Sequence, residues 1–532
     1  MPHSTDIIFT NARVFTSDES NPHAEAVAVR ANRIVYVGNN EGAEELRDEK
    51  TRVIDAQEHT LTPGFIDSHF HLLWGSTWMG SAQLYELTNL EELKEILQTF
   101  AAQNRTSEWV DGRGIKYGIV STRQELDAII ADRPVYINAY DGHTSWANTK
   151  ALEMAGILHP GKEIGPNGII VRDENGLATG ELREKDAMGA VSDLIPLPSD
   201  ARKRELLKMA IKQINATGVT SIHNMNGDME ELMTYAALED TGEMTLRVYV
   251  PYWIKPETTE EMLAEAAEMS KVRGEYIRGG AAKFFMDGVW ESYTALTLEP
   301  YADDPNAKPE GIYSAEHFTR MAALCDKMGL QIFVHCCGDG AVRRTLDGYE
   351  TIQKMNGKRD SRHRVEHIEV IHPDDLPRFK ELGVIASMQT SHSPLSVEEG
   401  DVWPTRVGEK RWPLSFAWRH IKNAGATLAL GSDWTVAPYD PMINIYAALN
   451  RKQWSPTDPD QRLTLEECIL GYTRDAAYAE FEENQKGQIK EGYLADIVLF
   501  SHDLFELKPE EVRTAKPVMT MVHGKIVYEA SE

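Results

Sequence analysis

Five short segments of this 532-residue chain each set a metal-ligating or titratable side chain at, or close to, the end of a β-rich apolar run. The first is Gly64-Phe65-Ile66-Asp67-Ser68-His69-Phe70-His71, and the others run from Ala282 to Gly288, Ile332 to His335, Arg364 to His367 and Leu428 to Asp433. Between them they offer His69, His71, Lys283, His335, His367 and Asp433. Imidazole nitrogens and a carboxylate are what a Zn²⁺-type catalytic ion needs, with positions left open for water. Side chains two apart on a strand point to one face, so His69 and His71 can address a single ion. The chemistry this set suits is metal-assisted hydrolysis.

Such residues must be held by strands that end together. The first sixty residues and the last fifty read as short strands separated by turns, for example Arg33 to Gly38 and Gly492 to Phe500. The two ends therefore predict one composite β-sandwich domain, residues 1–62 plus 485–532. Between them strand-like runs alternate with helical stretches such as Thr88 to Gln103 and Asp200 to Thr217. Candidate strands include Val135 to Tyr140, Val219 to His223 and Leu246 to Val250. Repeated βα units with buried strands mean a parallel sheet, and ligands at the strand ends favour a (β/α)₈ TIM-type barrel over residues 63–484. A turn-rich stretch around Asp173 to Gly180 marks an inserted subdomain at about 141–198. Two Pro- and charge-rich segments, Leu296 to Tyr313 and Ser391 to Trp412, are long enough to be lids.

The 83 acidic and 55 basic residues leave a net charge of −28, which argues against nucleic acid or an anionic membrane as partner. No apolar run of about 18 residues predicts a membrane span. The first residues lack a basic stretch followed by an apolar core, and the four cysteines (Cys325, Cys336, Cys337, Cys468) suit a reducing compartment, so a cytoplasmic location is expected.

The motif Gly64 to His71, with Lys283-Phe284-Phe285-Met286-Asp287-Gly288, His335, Glu366-His367, Gly431-Ser432-Asp433-Trp434 and Gly492 to Val498, resembles the amidohydrolase superfamily. The likeness is to its YtcJ-like, or amidohydrolase 3, branch, which includes N-substituted formamide deformylases. The resemblance implies a barrel plus sandwich and a homodimer. It also implies one metal on His69, His71 and Asp433, a second on His335 and His367, and Lys283 bridging them as a CO₂-derived carbamate. An ammonium buried beside cations is disfavoured by desolvation and by like charge, so a neutral, carboxylatable Lys283 is physically reasonable. An uncarboxylated Lys283 that pairs with Asp287 or binds substrate is the alternative, because some relatives work with one metal. One or two divalent ions per chain, of the Zn²⁺ type, follow.

The activity implied is cleavage of an amide, N-formyl or cyclic amide C–N bond of a small molecule, with Asp433 as ligand and as general base and acid. A decarboxylase or isomerase on the same barrel is the alternative chemistry, and a non-catalytic scaffold would be expected to have lost ligands. His143, just after a candidate strand, is placed by the resemblance near the substrate carbonyl, as an oxyanion donor or, equally simply, a helix-capping residue. Trp290 and Trp434, among aromatics that include Trp74, Trp78, Tyr293, Trp403 and Trp412, are candidate substrate contacts for an apolar or aromatic group, or lid packing. Arg183, Arg113 and Lys116 are candidates to bind a substrate carboxylate or to form surface ion pairs.

Overall fold

The computed structural model describes residues 5–139, 142, 144–165, 168–398 and 400–531. The chain divides into two compact units, residues 1–72 with 211–532, and residues 73–210. Among the described residues no helix is long and apolar enough to cross a membrane.

Eight parallel strands form the centre of the first unit: β1 (Phe65–Phe70), β2 (Val219–Asn224), β3 (Arg247–Trp253), β4 (Ile277–Phe285), β5 (Gln331–Cys336), β6 (Arg364–His367), β7 (Ile385–Met388) and β8 (Leu428–Leu430). Each pairs with the next, β1 with β2 through to β7 with β8. The ring closes beyond the end of β8, where Asp433 N–H donates to the His69 carbonyl (2.7 Å) and His71 N–H to that of Trp434 (2.9 Å). Asp67 supports the closure by accepting from Ser432 N–H (3.0 Å) and His69 N–H (3.1 Å). Gly431 is obligatory there, because a Cβ would stand 2.5 Å from the His69 nitrogen. Strands buried on both faces explain why these segments read as apolar runs instead of alternating ones.

Strands from both ends of the chain also meet in the first unit. One four-stranded sheet holds Ile7–Thr10, Ala26–Arg30, Arg33–Gly38 and Arg52–Asp55. A six-stranded sheet joins Thr60–Pro63 antiparallel to Ile497–Phe500, next to Pro517–Val522. Phe9, Val27 and Ile34 from the first sheet share a core with Leu61, Ile497 and Met521 from the second.

The second unit has its own six-stranded sheet, in the order Ile169–Arg172, Ala178–Arg183, Thr144–Ala147, Val135–Ala139, Val110–Ile115, Ala82–Gln83. Val135–Ala139, a candidate barrel strand in sequence, belongs here, antiparallel to Thr144–Ala147. A short β-rich run carries no label for the sheet it joins, and a neighbour that returns after a tight turn decided it. The expected helix after Thr88 runs Leu90–Gln103, with the Asn89 side chain accepting from Glu92 N–H at 3.0 Å, and the next runs Asp200–Asn215.

One buried ion pair fastens the start of β3 to the C-terminal segment. Arg247 donates to Asp496 through Nε (2.7 Å) and Nη2 (3.1 Å). Both side chains are buried, so removing one leaves an uncompensated charge. Arg247→Ala is expected to lower unfolding free energy by about 3–5 kcal/mol in a denaturant titration. A loss under about 1 kcal/mol would mean that water replaces the pair without penalty.

Candidate metal centre

The six proposed ligands all lie at or beyond the C-terminal ends of barrel strands or within their last turns: His69 in β1 and His71 just after it, Lys283 in β4, His335 in β5, His367 closing β6, and Asp433 after β8. This is the end at which barrel enzymes gather their chemistry. His69, His367 and Asp433 hold one ligand atom each within 4.8 Å of one another. Asp433 Oδ1 lies 3.5 Å from His69 Nε2 and 3.2 Å from His71 Nε2. The His367 ring stands 4.6 Å from that of His69 and 4.4 Å from that of His335, centroid to centroid.

The other nitrogen of each imidazole is occupied. His69 Nδ1 lies 2.8 Å from Glu366 Oε2, His71 Nδ1 2.7 Å from Asn226 Oδ1, and His367 Nδ1 2.8 Å from Gln389 Oε1. Each of these oxygens is an acceptor, so each Nδ1 carries the proton and each Nε2 keeps its lone pair for the centre. His335 is turned the other way. Its Nε2 lies 3.2 Å from the Gly288 carbonyl, which leaves Nδ1 as its available donor.

Burial sets the charge states. It pushes His69 down to about 3 and His335 to about 4, each helped by Lys283, and it holds His367 well below the ordinary range, so all three are neutral ligands. Burial opposes the charge on Asp433, yet the imidazoles of His69, His71 and His367 hold it ionised, well below the usual carboxylate range. Glu366 is likewise kept ionised against burial by Arg364 and by the His69 hydrogen bond. Burial lowers Lys283 to about 8 although Glu366 and Asp433 attract its proton. Its Nζ is fully buried and has no hydrogen-bond partner among the described residues, the condition of a side chain built for a group it does not have in this chain alone. Neutral imidazoles, an ionised carboxylate and an unpartnered amine fit a divalent cation of the Zn²⁺ class.

A second trio, Asp287, His335 and Cys337, is also close enough to hold an ion. Its chemistry argues otherwise. Asp287 accepts backbone N–H groups from Leu296 (2.9 Å), Cys337 (3.0 Å) and Gly338 (2.8 Å), and burial raises the Cys337 thiol well above its usual value. Asp287 thus anchors the loop after β5 and the segment from Leu296, and among the described residues no ion pair or hydrogen bond joins it to Lys283.

The aromatic candidates separate. Trp434 is nearly buried against Phe70 and Tyr439, with ring centroids at 5.1 and 5.4 Å, directly beside Asp433. Trp290 is fully buried: its indole N–H donates to the Cys337 carbonyl, and it meets Tyr301 and Trp403 edge-on. It packs the segments read as lids, which grip each other through Ala302 N–H on the Arg406 carbonyl (3.0 Å) and Lys410 on Glu299 (2.7 Å). His143 lies outside the described residues.

Sequence reasoning missed four residues: Asn226, Gln389, Arg364 and His392. Arg364 donates to both oxygens of Glu366, at 2.8 and 3.0 Å. His392, on a short turn after β7, places Nε2 3.8 Å from Asp433 Oδ2, buried and with no hydrogen-bond partner among the described residues. Its signal was a histidine four residues beyond a strand end, in a segment read as lid.

With that geometry in place, the family is shown. The sequence model of the amidohydrolase family matches residues 52–528, and the chain belongs to that family and is by class a hydrolase. It is 29% identical to the putative amidohydrolase YtcJ of Bacillus subtilis, over 97% of this chain and 98% of that one. It is 30% identical to the protein LONG AFTER FAR-RED 3 of Arabidopsis thaliana, over 98% and 91%, and 25% identical to the N-substituted formamide deformylase of Arthrobacter pascens, over 99% of each. Among solved structures, a metal-dependent hydrolase from Pyrococcus furiosus superposes with a TM-score of 0.76 at 25% identity, covering 95% of this chain and 99% of that one.

If Glu366 orients His69, Glu366→Ala should weaken retention of a divalent metal about 10–100-fold in competition with a chelator. Equal retention by variant and parent would remove Glu366 from that role.

Proposed function

We propose that the protein is a metal-dependent amidohydrolase that cleaves a C–N bond of a small molecule, an amide, N-formyl or cyclic amide, with Asp433 moving the proton. The observation that carries this reading is the meeting of the His69 and His71 Nε2 atoms on Asp433, each imidazole locked from behind by an acceptor. His69, His71 and Asp433 would hold one cation, and His335 and His367 a second. A cation there would polarise a carbonyl and make water more acidic.

The chain's own groups do the rest. Asp433, ionised and close to the donor nitrogens, takes the proton of the attacking water and returns it to the leaving nitrogen, which breaks the C–N bond. His143 donates a hydrogen bond to the carbonyl oxygen as charge develops on it. Trp434 borders the substrate's apolar or aromatic portion, and Trp290 supports that wall from within. Lys283, as the neutral amine, adds CO₂ to form an N–C bond with release of one proton. The resulting anionic carbamate would supply oxygen ligands to the cations. That its buried Nζ has no hydrogen-bond partner among the described residues supports this assignment. The paired terminal sheets form one composite β-sandwich, residues 1–62 with 485–532, around the barrel of 63–484, and about 141–198 form the inserted subdomain.

Protein purified without chelator and with bicarbonate present is expected to contain about two metals per chain by elemental analysis. About one would make Lys283 an ordinary amine and the centre mononuclear. On a panel of N-substituted formamides and cyclic amides, Asp433→Asn should lower kcat by about 10²–10⁴-fold, and ¹⁸O from labelled water should enter the acid product. Unchanged kcat in that variant would overturn the proton-transfer role, and CO₂ release without ¹⁸O uptake would replace hydrolysis by decarboxylation.

A further inference from the structure

The second unit contains a cavity of about 960 Å³ lined entirely by its own residues, within the size range of small-molecule sites. One wall is a face of its sheet. Val110–Ile115 and Val135–Ala139 run parallel with Asp111 beside Tyr136 and Arg113 beside Asn138, and all four side chains line the cavity. The alternate residues Val110, Val135 and Ile137 go to an apolar core on the opposite face. The cavity-facing side of Val135–Ala139 is thus partly polar, with Asn138 on the same face as Tyr136, whose ring also packs in an apolar core.

Arg113 is the informative residue on that face. Its guanidinium carbon sits 3.4 Å from the centroid of the Trp78 ring, so the indole covers one face of the cation. It is partly buried, and no hydrogen bond or ion pair reaches it among the described residues. The other arginine of the wall, Arg202, is paired with Glu205 at 3.1 Å, and Arg183, also a candidate carboxylate binder in sequence, is paired with Glu181 at 2.7 Å. A guanidinium stacked by its face keeps its in-plane N–H fork free, the geometry that grips a carboxylate with two parallel hydrogen bonds. Asp111 attracts it electrostatically, but no acid of the wall forms an ion pair with it among the described residues. Asp111 accepts from Ser81 and burial raises its pKa, while Glu108 and Glu205 are exposed to solvent. The remaining lining is mixed: Trp74, Trp109 and Ile195 give it an aromatic and aliphatic part, and Thr77, Gln103, Asn104 and Ser192 a polar one.

We propose that this cavity binds a small aromatic carboxylate, its carboxylate on Arg113 and its ring against the wall of Trp74, Trp109 and Ile195. The site stands independently of the chemistry assigned to the barrel. Calorimetric titration of the full chain with indole-3-acetate, indole-3-acetamide and tryptamine tests it. The acetate should bind saturably, one per chain, and at least about tenfold more tightly than the uncharged amide, as expected for charge-assisted hydrogen bonds. Arg113→Gln should erase that ratio, Arg113→Lys should keep part of it, and Asp433→Asn should leave it intact. No saturable binding of the acetate, equal affinity for acetate and amide, or a ratio that survives in Arg113→Gln would each overturn the proposal. So would tightest binding of tryptamine, which would assign the wall to a cation on Asp111. If Arg113→Gln does not fold, the ratio in the parent chain and in Arg113→Lys still decides.

Discussion

The metal centre hangs on a buried guanidinium. Arg364 is fully enclosed inside the barrel, stacked 4.2 Å over Phe333, and it donates to both oxygens of Glu366, to Ser387 Oγ, to the Ser68 carbonyl and to His223 Nδ1. One side chain thereby ties β1, β2, β6 and β7 together from within. A charge so placed is tolerable only because nearly every donor has an acceptor, and an ionised Glu366 supplies the counter-charge. Glu366 in turn is the acceptor that fixes the tautomer of His69. Arg364 therefore acts on the ligand set without touching it.

The same logic continues toward the strand starts. His223 lies 3.4 Å from Glu480, and Glu480 also takes Lys486 at 2.7 Å and Arg278 at 2.8 Å, with Lys486 donating further to Ser221. The Lys486 and Arg278 cations, with the neighbouring His223, keep Glu480 ionised against complete burial, and burial lowers His223 to about 4, so it stays a neutral acceptor for Arg364. The barrel interior is thus not a purely apolar stack. It is a column of alternating charge, and its order is what lets the ligand end carry neutral imidazoles and one ionised aspartate.

The candidate ligand residues stood out in sequence because each chemistry-bearing residue follows or closes an apolar run, and a barrel places such positions on one rim. Their partners were not. His69 and Glu366 are 297 residues apart, and His71 and Asn226 are 155 apart, so no local pattern links them. Glu366 stood next to His367 in the motif, but nothing in the order of residues says that it serves His69. The aromatics misled for a related reason. Trp290, Trp403 and Trp412 lie in segments expected near the mouth, but a large ring in a long loop is also what holds that loop down. Trp403 and Trp412 both meet Trp454 edge-on, 51 and 42 residues onward by sequence number, positions that no spacing rule connects. Val135–Ala139 shows the limit for strands: its composition predicts a strand, while its sheet depended on the return of Thr144–Ala147.

Two of the ligand residues also occupy backbone conformations that side chains avoid. His367 has φ +71° and Asp433 φ +58°, both in the left-handed region. Such conformations cost about 1–3 kcal/mol each and persist only where the surroundings over-determine them. Here the surroundings are visible. Ile368 N–H donates to the carbonyls of Cys336 and Glu366 just after His367, and Asp433 N–H is held by the His69 carbonyl. The strain turns the chain inward at the last residue of β6 and just beyond the end of β8, which a regular strand would not do, since its next side chain would continue the alternation outward. Glycine would relieve both positions but supplies no ligand. The fold therefore accepts backbone strain at the two residues whose side chains must leave the strand to meet His69, and the hydrogen bonds that close the barrel between β1 and β8 offset it.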